Sequence, residues 1–381
     1  MQGEHMRARD LGIPFDGTPA QLNSITDVPG VQVGMSTIIS GDGPLVIDGG
    51  PVRTGVTAIL PVGPQRVRDA VPAGIYSLNG NGEMTGTHWI TETGGLSGPV
   101  MITNTHAVGT VHRGVIEWTK KHHPEAAIEW LLPVVAETWD GYLNDINGPH
   151  VTTDHAIAAI ESASTGAVLE GSHGGGTGMN CYGYKGGNGT SSRVVSFGGQ
   201  DYVVGVFLQA NFGDRDELRI AGVSMKDLDV PFPMGQTTWI NNDRVRAVPA
   251  GAGSVIAVVA TNAPMLPDQC RALARRVPLG LARTGTAGGH FSGDIFLAFS
   301  TADAGELASG FPVNSSNDEA LHTLHFVPWN FMDPFFTAVV QCVEEAVVNA
   351  LVNNDTMVGR DGNTSFALPH DQILDRITQV R

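Results

Sequence analysis

The chain has 381 residues, of which 41% are hydrophobic and 16% charged, with a net charge of −16. No block of lysine and arginine offers a stripe for phosphates, which excludes nucleic acid and anionic membrane surfaces as partners. The three cysteines, Cys181, Cys270 and Cys342, lie far apart with no CxxC, so neither a disulfide frame nor a zinc ribbon is indicated.

A chain of this length buries a large fraction of its surface and needs no covalent staple. Its 49 glycines are spread through apolar segments, pointing to tight turns and close backbone approaches rather than disorder. The charged segment 1–14 has no apolar h-region. No run of about twenty apolar residues is evident, and the expected location is the cytoplasm.

In chain order, residues 1–30 are polar and turn-rich, and Val31–Gly34 opens a series of short β-like runs. Gly55–Pro61 and Gly98–Thr103 continue the series. From Gly109 to His122 the apolar residues Val111, Val115, Ile116 and Trp118 share one face, which predicts a helix. Trp130–Glu137 reads as a strand ending in a polar cluster. A second helix is predicted over Thr153–Ser164, capped by Thr152 or Thr153.

Glycine-rich segments 171–180 and 183–189 come next, followed by strands over Arg193–Phe197 and Tyr202–Ala210, the second ending at Asn211. Region 214–250 is irregular and charged. Pro267 opens a predicted helix to about Arg283, Asp294–Ser300 is a strand, and helices over Phe331–Val352 and His370–Val380 close the chain. Strands with helices interleaved, and no internal repeat, point to stacked sheets covered by helices.

The chemistry concentrates at strand ends. The small-residue run Ala250-Gly251-Ala252-Gly253 leads into Ser254, and the apolar run Val255–Ala260 follows. That run is short and β-branched, so it reads as a buried strand. Ser254 therefore stands where a glycine loop enters a rigid strand, a good mount for a reactive hydroxyl. Gly253 lacks a Cβ, so its peptide can be approached closely. These are the needs of a serine that attacks the carbonyl before it. A tight turn ahead of a core strand is the alternative reading.

Ser292 and Asp294 are two apart at a strand start, so their side chains share a face. A hydroxyl held by a carboxylate can pass a proton to or from a nucleophile; an Asp capping its own turn is the alternative. Asn211 ends an apolar strand, where its amide can donate to an oxyanion or serve in a turn. Glu137 ends another, placed to pair with a substrate amine or to stand as an ordinary acid. The glycine run 174–178 lacks the Gly-Lys-Ser/Thr ending of a phosphate loop, and no HExxH occurs among the histidines. No cofactor and no metal is expected.

These pieces together resemble one family over nearly the whole chain. The matching segments are 7–14, 25–31, 53–61, Ala136-Glu137-Thr138-Trp139-Asp140-Gly141, Leu143-Asn144-Asp145, 175–179, Gly253-Ser254 and Ser292-Gly293-Asp294-Ile295. The sequence resembles the self-processing serine aminopeptidases of the D-aminopeptidase (L-aminopeptidase/D-esterase) and β-peptidyl aminopeptidase type.

The resemblance implies a four-layer αββα sandwich, N-terminal-nucleophile-hydrolase-like and of α/β (α+β) class, in a single domain. It also implies cleavage between Gly253 and Ser254 into an α-subunit, 1–253, and a β-subunit, 254–381. The two would stay associated, with self-association into a homotetramer of such pairs. Carried over by motif, Ser254 would be the nucleophile and Asn211 the oxyanion donor. Ser292 and Asp294 would exchange protons with Ser254, and Glu137 would hold the amine of a small peptide, amide or ester substrate. Asp294 stands where the family often has glutamate, and Tyr142 is expected to contact the site. The implied activity is release of small N-terminal L-α, D-α or β residues. Two readings remain beside it: an acyltransferase on the same fold, whose relatives carry threonine at the cleaved position, and a non-enzymatic binding protein with an inert Gly-Ser turn.

Overall fold

The computed structural model describes residues 6–128, 130–231, 253–309 and 321–380. Its first half holds the strands β1 (Gln32–Ser40), β2 (Val52–Leu60), β3 (Val71–Ser77), β4 (Gly95–Leu96), β5 (Val100–Asn104) and β6 (Val134–Thr138). The helices there are α1 (Thr87–Thr93), α2 (Val108–His122) and α3 (Thr153–Glu161). The second half begins with β7 (Asn180–Cys181), β8 (Tyr184–Lys185), β9 (Gly187–Phe197), β10 (Gln200–Asn211), β11 (Arg219–Ile220) and β12 (Val223–Ser224). Next come β13 (Gly253–Thr261), α4 (Pro267–Ala274), α5 (Val277–Arg283), β14 (Ser292–Ser300) and α6 (Asp333–Val352). The hairpin β15 (Met357–Val358) and β16 (Thr364–Ser365) and helix α7 (His370–Val380) follow.

Two sheets form the middle of the molecule. One has four strands in the order β1-β2-β5-β6, and the other has six in the order β4-β3-β14-β13-β10-β9. Strand β13 explains the layering. Val255, Ala257 and Val259 pack with residues of α4, α5 and α6, while Ile256, Val258 and Ala260 pack between the sheets against Ile59, Ile102 and Ala136. Both faces are buried, which is why the strand reads as an unbroken apolar run instead of an alternating one. On the far side of the four-stranded sheet, Val111, Val115 and Trp118 of α2 and Ala156 and Ile160 of α3 cover Val56, Ala58 and Val135. The order is helices, sheet, sheet, helices, the αββα sandwich that the resemblance implies.

Several elements differ from expectation for local reasons. The helix predicted from Pro267 to Arg283 is two helices, α4 and α5, because Pro278 lies at the start of the second and cannot join a continuous ladder. The strand predicted over Trp130–Glu137 is confined to Val134–Thr138, since Pro133 precedes it. Thr152 rather than Thr153 caps α3, in a reciprocal pair with His155. Strand β3 and helix α1, unforeseen, fill the gap between β2 and β5. Within 214–250, residues 219–224 form the hairpin β11–β12, and 232–250 lie outside the described residues, as do Gly251 and Ala252. Helix α6 is long and apolar enough to cross a membrane by length and composition, contrary to the sequence expectation, but most of its surface is buried in the core. It packs on β9, where a methyl added at Gly189 would come within 1.8 Å of the Ala346 carbonyl oxygen.

The N-terminal motif is a clasp. Arg7 pairs with Glu170 at 2.8 Å and donates to the carbonyls of Leu22, Asn23 and Thr190. Arg9 and Arg193 converge on buried Glu345 at 2.8 and 2.6 Å, joined by Asn23 Nδ2 at 2.6 Å. These contacts fasten the first residues to β9 and α6.

Candidate active site

Ser254 lies at the second position of β13 and is buried. On one side, β13 pairs antiparallel with β10, and the register sets Asn211 opposite Ser254. Residues directly opposite in a ladder share a face. Alternation puts that face between the sheets, with Phe207 on β10 and Ile256 and Val258 on β13. On the other side, β13 runs parallel to β14, with Ser254 beside Gly293.

Asn211 has its oxygen occupied: Oδ1 accepts the Asn180 N–H at 2.9 Å. That contact fixes which end of the amide is the acceptor and leaves Nδ2 as the donor. Two residues earlier, Gln209 Nε2 donates to Thr138 Oγ1 on β6 at 2.6 Å, tying the sheets together beneath the site. The backbone N–H of Trp139, just past β6, reaches Ser254 Oγ at 3.4 Å. Sequence reasoning missed this contact; a backbone donor carries no side-chain signal.

Gly253 is without a Cβ for a steric reason. A methyl there would lie 2.5 Å from the Asn211 carbonyl oxygen and 2.9 Å from Phe212 Cα, both backbone atoms. The peptide on the N-terminal side of Ser254 is thus pressed against the end of β10.

Ser292 donates to Asp294 Oδ1 at 2.5 Å, and Asn79 Nδ2 donates to Oδ2 at 3.0 Å. Burial raises the Asp294 carboxyl above its usual range, an effect that Ser292, Asn79 and the Val255 N–H partly offset. By register the pair flanks the Gly253 and Val255 positions, whereas the Ser254 side chain points to the opposite face, beside Gly293. The structure therefore brings Ser292 and Asp294 to the backbone around Ser254 rather than to its hydroxyl.

Glu137 stands at the wall. Its Oε1 accepts the Glu83 N–H at 2.9 Å, and Oε2 accepts the Thr105 hydroxyl. Gly82 fits between it and the ladder partner of Ser254: a methyl added at Gly82 would lie 3.1 Å from Gly293 Cα and 3.3 Å from Glu137 Oε1. Burial raises the Glu137 carboxyl, with Thr105 and the Glu83 N–H pulling the other way. Tyr142 is buried in the turn after Trp139, and its carbonyl accepts Asn363 Nδ2 at 2.8 Å.

The glycine run 174–176 sits between the sheets. Its amides donate to Thr37 Oγ1, Thr57 Oγ1 and the His173 carbonyl, so they are not presented to a phosphate. A methyl at Gly175 would meet Gln209 Oε1 at 2.3 Å, so the run packs beneath the site as structure. Among the described residues no group of three or more His, Cys, Asp or Glu side chains gathers at metal-ligand spacing.

The chain is similar to known proteins in sequence and in fold. The sequence profile of peptidase family S58 matches residues 23–365. The β-peptidyl aminopeptidase BapA of Sphingosinicella microcystinivorans is 48% identical over 99% of this chain and 93% of its own length. The L-aminopeptidase D-Ala-esterase/amidase of Ochrobactrum anthropi, described as a prototype serine aminopeptidase and a variant of the Ntn-hydrolase fold, superposes with a TM-score of 0.86. It is 42% identical, with 98% of each chain covered. A β-aminopeptidase from Burkholderia sp. gives a TM-score of 0.86 at 40% identity over 98% of this chain and 99% of its own. With the Ntn-hydrolase-like sandwich and a serine at the head of its central strand, the chain belongs to peptidase family S58, as a serine-nucleophile aminopeptidase.

Proposed function

We propose that Ser254 is both the agent of self-cleavage and the nucleophile of turnover. Supporting this reading above all is the register that faces Asn211 with Ser254 between the two sheets. In processing, Ser254 Oγ bonds to the Gly253 carbonyl carbon, the Gly253–Ser254 C–N bond breaks, and the hydroxyl proton passes to the departing nitrogen. Water then hydrolyses the ester, leaving a carboxylate on Gly253 and a free α-amine on Ser254. The products are an α-subunit, 1–253, and a β-subunit, 254–381. Both donate strands to the six-stranded sheet, so they remain one folded unit.

An α-amine titrates near 7.7–8.0 and suits base work at neutral pH, which a backbone amide cannot do. In turnover it takes the Ser254 proton as Oγ attacks the substrate carbonyl. Asn211 Nδ2 stabilises the oxyanion, the amine or alcohol leaves with the proton, and water releases the acyl group. Ser292 and Asp294, which flank the backbone at Ser254, act on the new amine rather than on the hydroxyl. Glu137 holds the ammonium of the substrate, Tyr142 shapes the turn beside it, and the substrates are small peptides, amides or esters with free N-termini. The likeness to β-peptidyl aminopeptidases over nearly the whole chain favours β-amino acyl groups among them. Assembly into a homotetramer of cleaved pairs belongs to the same reading.

Intact-mass spectrometry of freshly purified wild type beside Ser254→Ala tests the proposal. Two fragments dividing before Ser254 in wild type, and one whole chain in the variant, support it. A folded wild type that stays whole rules it out. Hydrolysis of alanyl and β-alanyl p-nitroanilides, with and without an amine acceptor, then separates aminopeptidase from acyltransferase.

A further inference from the structure

One buried cation near the site has no part in the chemistry above. Lys185, at the end of β8, is fully buried, and its Nζ donates to the Met179 carbonyl at 2.8 Å and to the Gly186 carbonyl at 2.7 Å. The Met179 carbonyl also accepts the Gly186 N–H at 2.9 Å. The other end of that same peptide unit is the Asn180 N–H, which donates to Asn211 Oδ1 at 2.9 Å. A continuous chain of contacts thus runs from ammonium to peptide to Asn211, and Asn211 faces Ser254.

Each link has a physical consequence. An amide whose oxygen is held by an N–H cannot flip without losing that bond and burying an unsatisfied donor. A peptide whose carbonyl is bound to an ammonium is held more firmly and is more polarised than one bound to a neutral donor. Keeping an ammonium in the interior is unfavourable unless it is well paired. Burial pushes Lys185 down to about 7, opposed by Cys181 and Asp140, so the charged form carries a real penalty here. A methionine of similar length would fill the space without that cost.

We propose that Lys185 is a positioning residue for the aminopeptidase reaction, anchoring the Met179–Asn180 peptide so that Asn211 keeps its amide donor turned toward Ser254. This inference rests on the reading of Asn211 as the oxyanion donor. It predicts that removing the ammonium loosens the donor, lowering kcat while leaving substrate binding in the ground state intact.

The test is a double-mutant cycle on Lys185→Met and Asn211→Ala, with kcat and KM measured per processed chain and thermal melting recorded for each variant. Lys185→Met is expected to lower kcat about tenfold at unchanged KM. In the Asn211→Ala background it should cost nothing further, because the group it positions is gone. A merely structural lysine would give losses that multiply in the double variant, and that result overturns the inference. So does a folded Lys185→Met enzyme with wild-type kcat beside a slow Asn211→Ala. If Asn211→Ala itself retains full kcat, the oxyanion reading fails, and this inference with it. Should Lys185→Met not fold, Lys185→Gln, which keeps a donor for one carbonyl, enters the same cycle and is judged by the same additivity.

Discussion

Asn211 and Ser254 occupy matching positions at the ends of adjacent antiparallel strands, with Asn211 Oδ1 held by the Asn180 N–H. An orienting bond on the oxygen turns the amide into a directional donor, prepared before any charge develops. Replacing Asn211 with alanine should therefore lower kcat about 10²–10³-fold, the range for loss of one oxyanion donor. Chain cleavage, which passes through the same kind of oxyanion, should slow in parallel. Steady-state kinetics and a mass time course check the two effects; a change in KM alone would contradict the role.

Gly253 is pressed onto the backbone of Asn211 and Phe212. A methyl there cannot be accommodated by a side-chain movement, because the atoms it meets are main chain. Gly253→Ala should push β13 away from the end of β10 and slow chain cleavage about 100-fold, the scale of a 1 Å misplacement of reacting groups. The fold should survive, since the core face of β13 begins at Val255. Intact mass over days, beside circular dichroism, reads both.

Glu137 must be ionised to hold an ammonium, and burial raises its carboxyl above the usual 4.5. Substrate capture is therefore lost as pH falls through that raised value. The nucleophile's α-amine must be neutral and imposes a separate loss below about 8. In wild type, log kcat/KM should fall first with slope one and then, at lower pH, with slope two. Glu137→Gln should lower kcat/KM about 10- to 100-fold, as for one hydrogen bond to a charged group, and retain only slope one. An unchanged second break in the variant would assign it elsewhere.

The clasp at Glu345 is a stability element remote from the chemistry. Burial alone would raise this carboxyl, but Arg9, Arg193 and Asn23 hold it below its usual 4.5. A depressed native pKa contributes stability above the unfolded value, and that stability is lost as pH falls through the native one. Glu345→Gln leaves buried Arg193 without its counter-charge and should destabilise by about 3–5 kcal/mol. Its melting temperature should also depend less on pH below 4.5 than that of wild type. Urea unfolding at neutral pH measures the first effect, and thermal melting at neutral and acid pH the second.

What the sequence alone determined is local. The β-branched run after Ser254, the apolar stripe of α2, the proline starts and the strand ends at Asn211 and Glu137 are all read from neighbours in the chain, because propensity, periodicity and turn chemistry act over a few residues. The motif matches, combined over the whole length, carried the family and with it the sandwich. The tertiary structure decided which strand end meets which. Ladder register faces Asn211 with Ser254 and turns Ser292 and Asp294 to the other side of β13. A shift of one residue would reverse both, and register is set by which face each sheet buries. The Trp139 N–H and the path from Lys185 to Asn211 were equally invisible beforehand. Each depends on backbone groups, which every residue carries, so only their position in space distinguishes them.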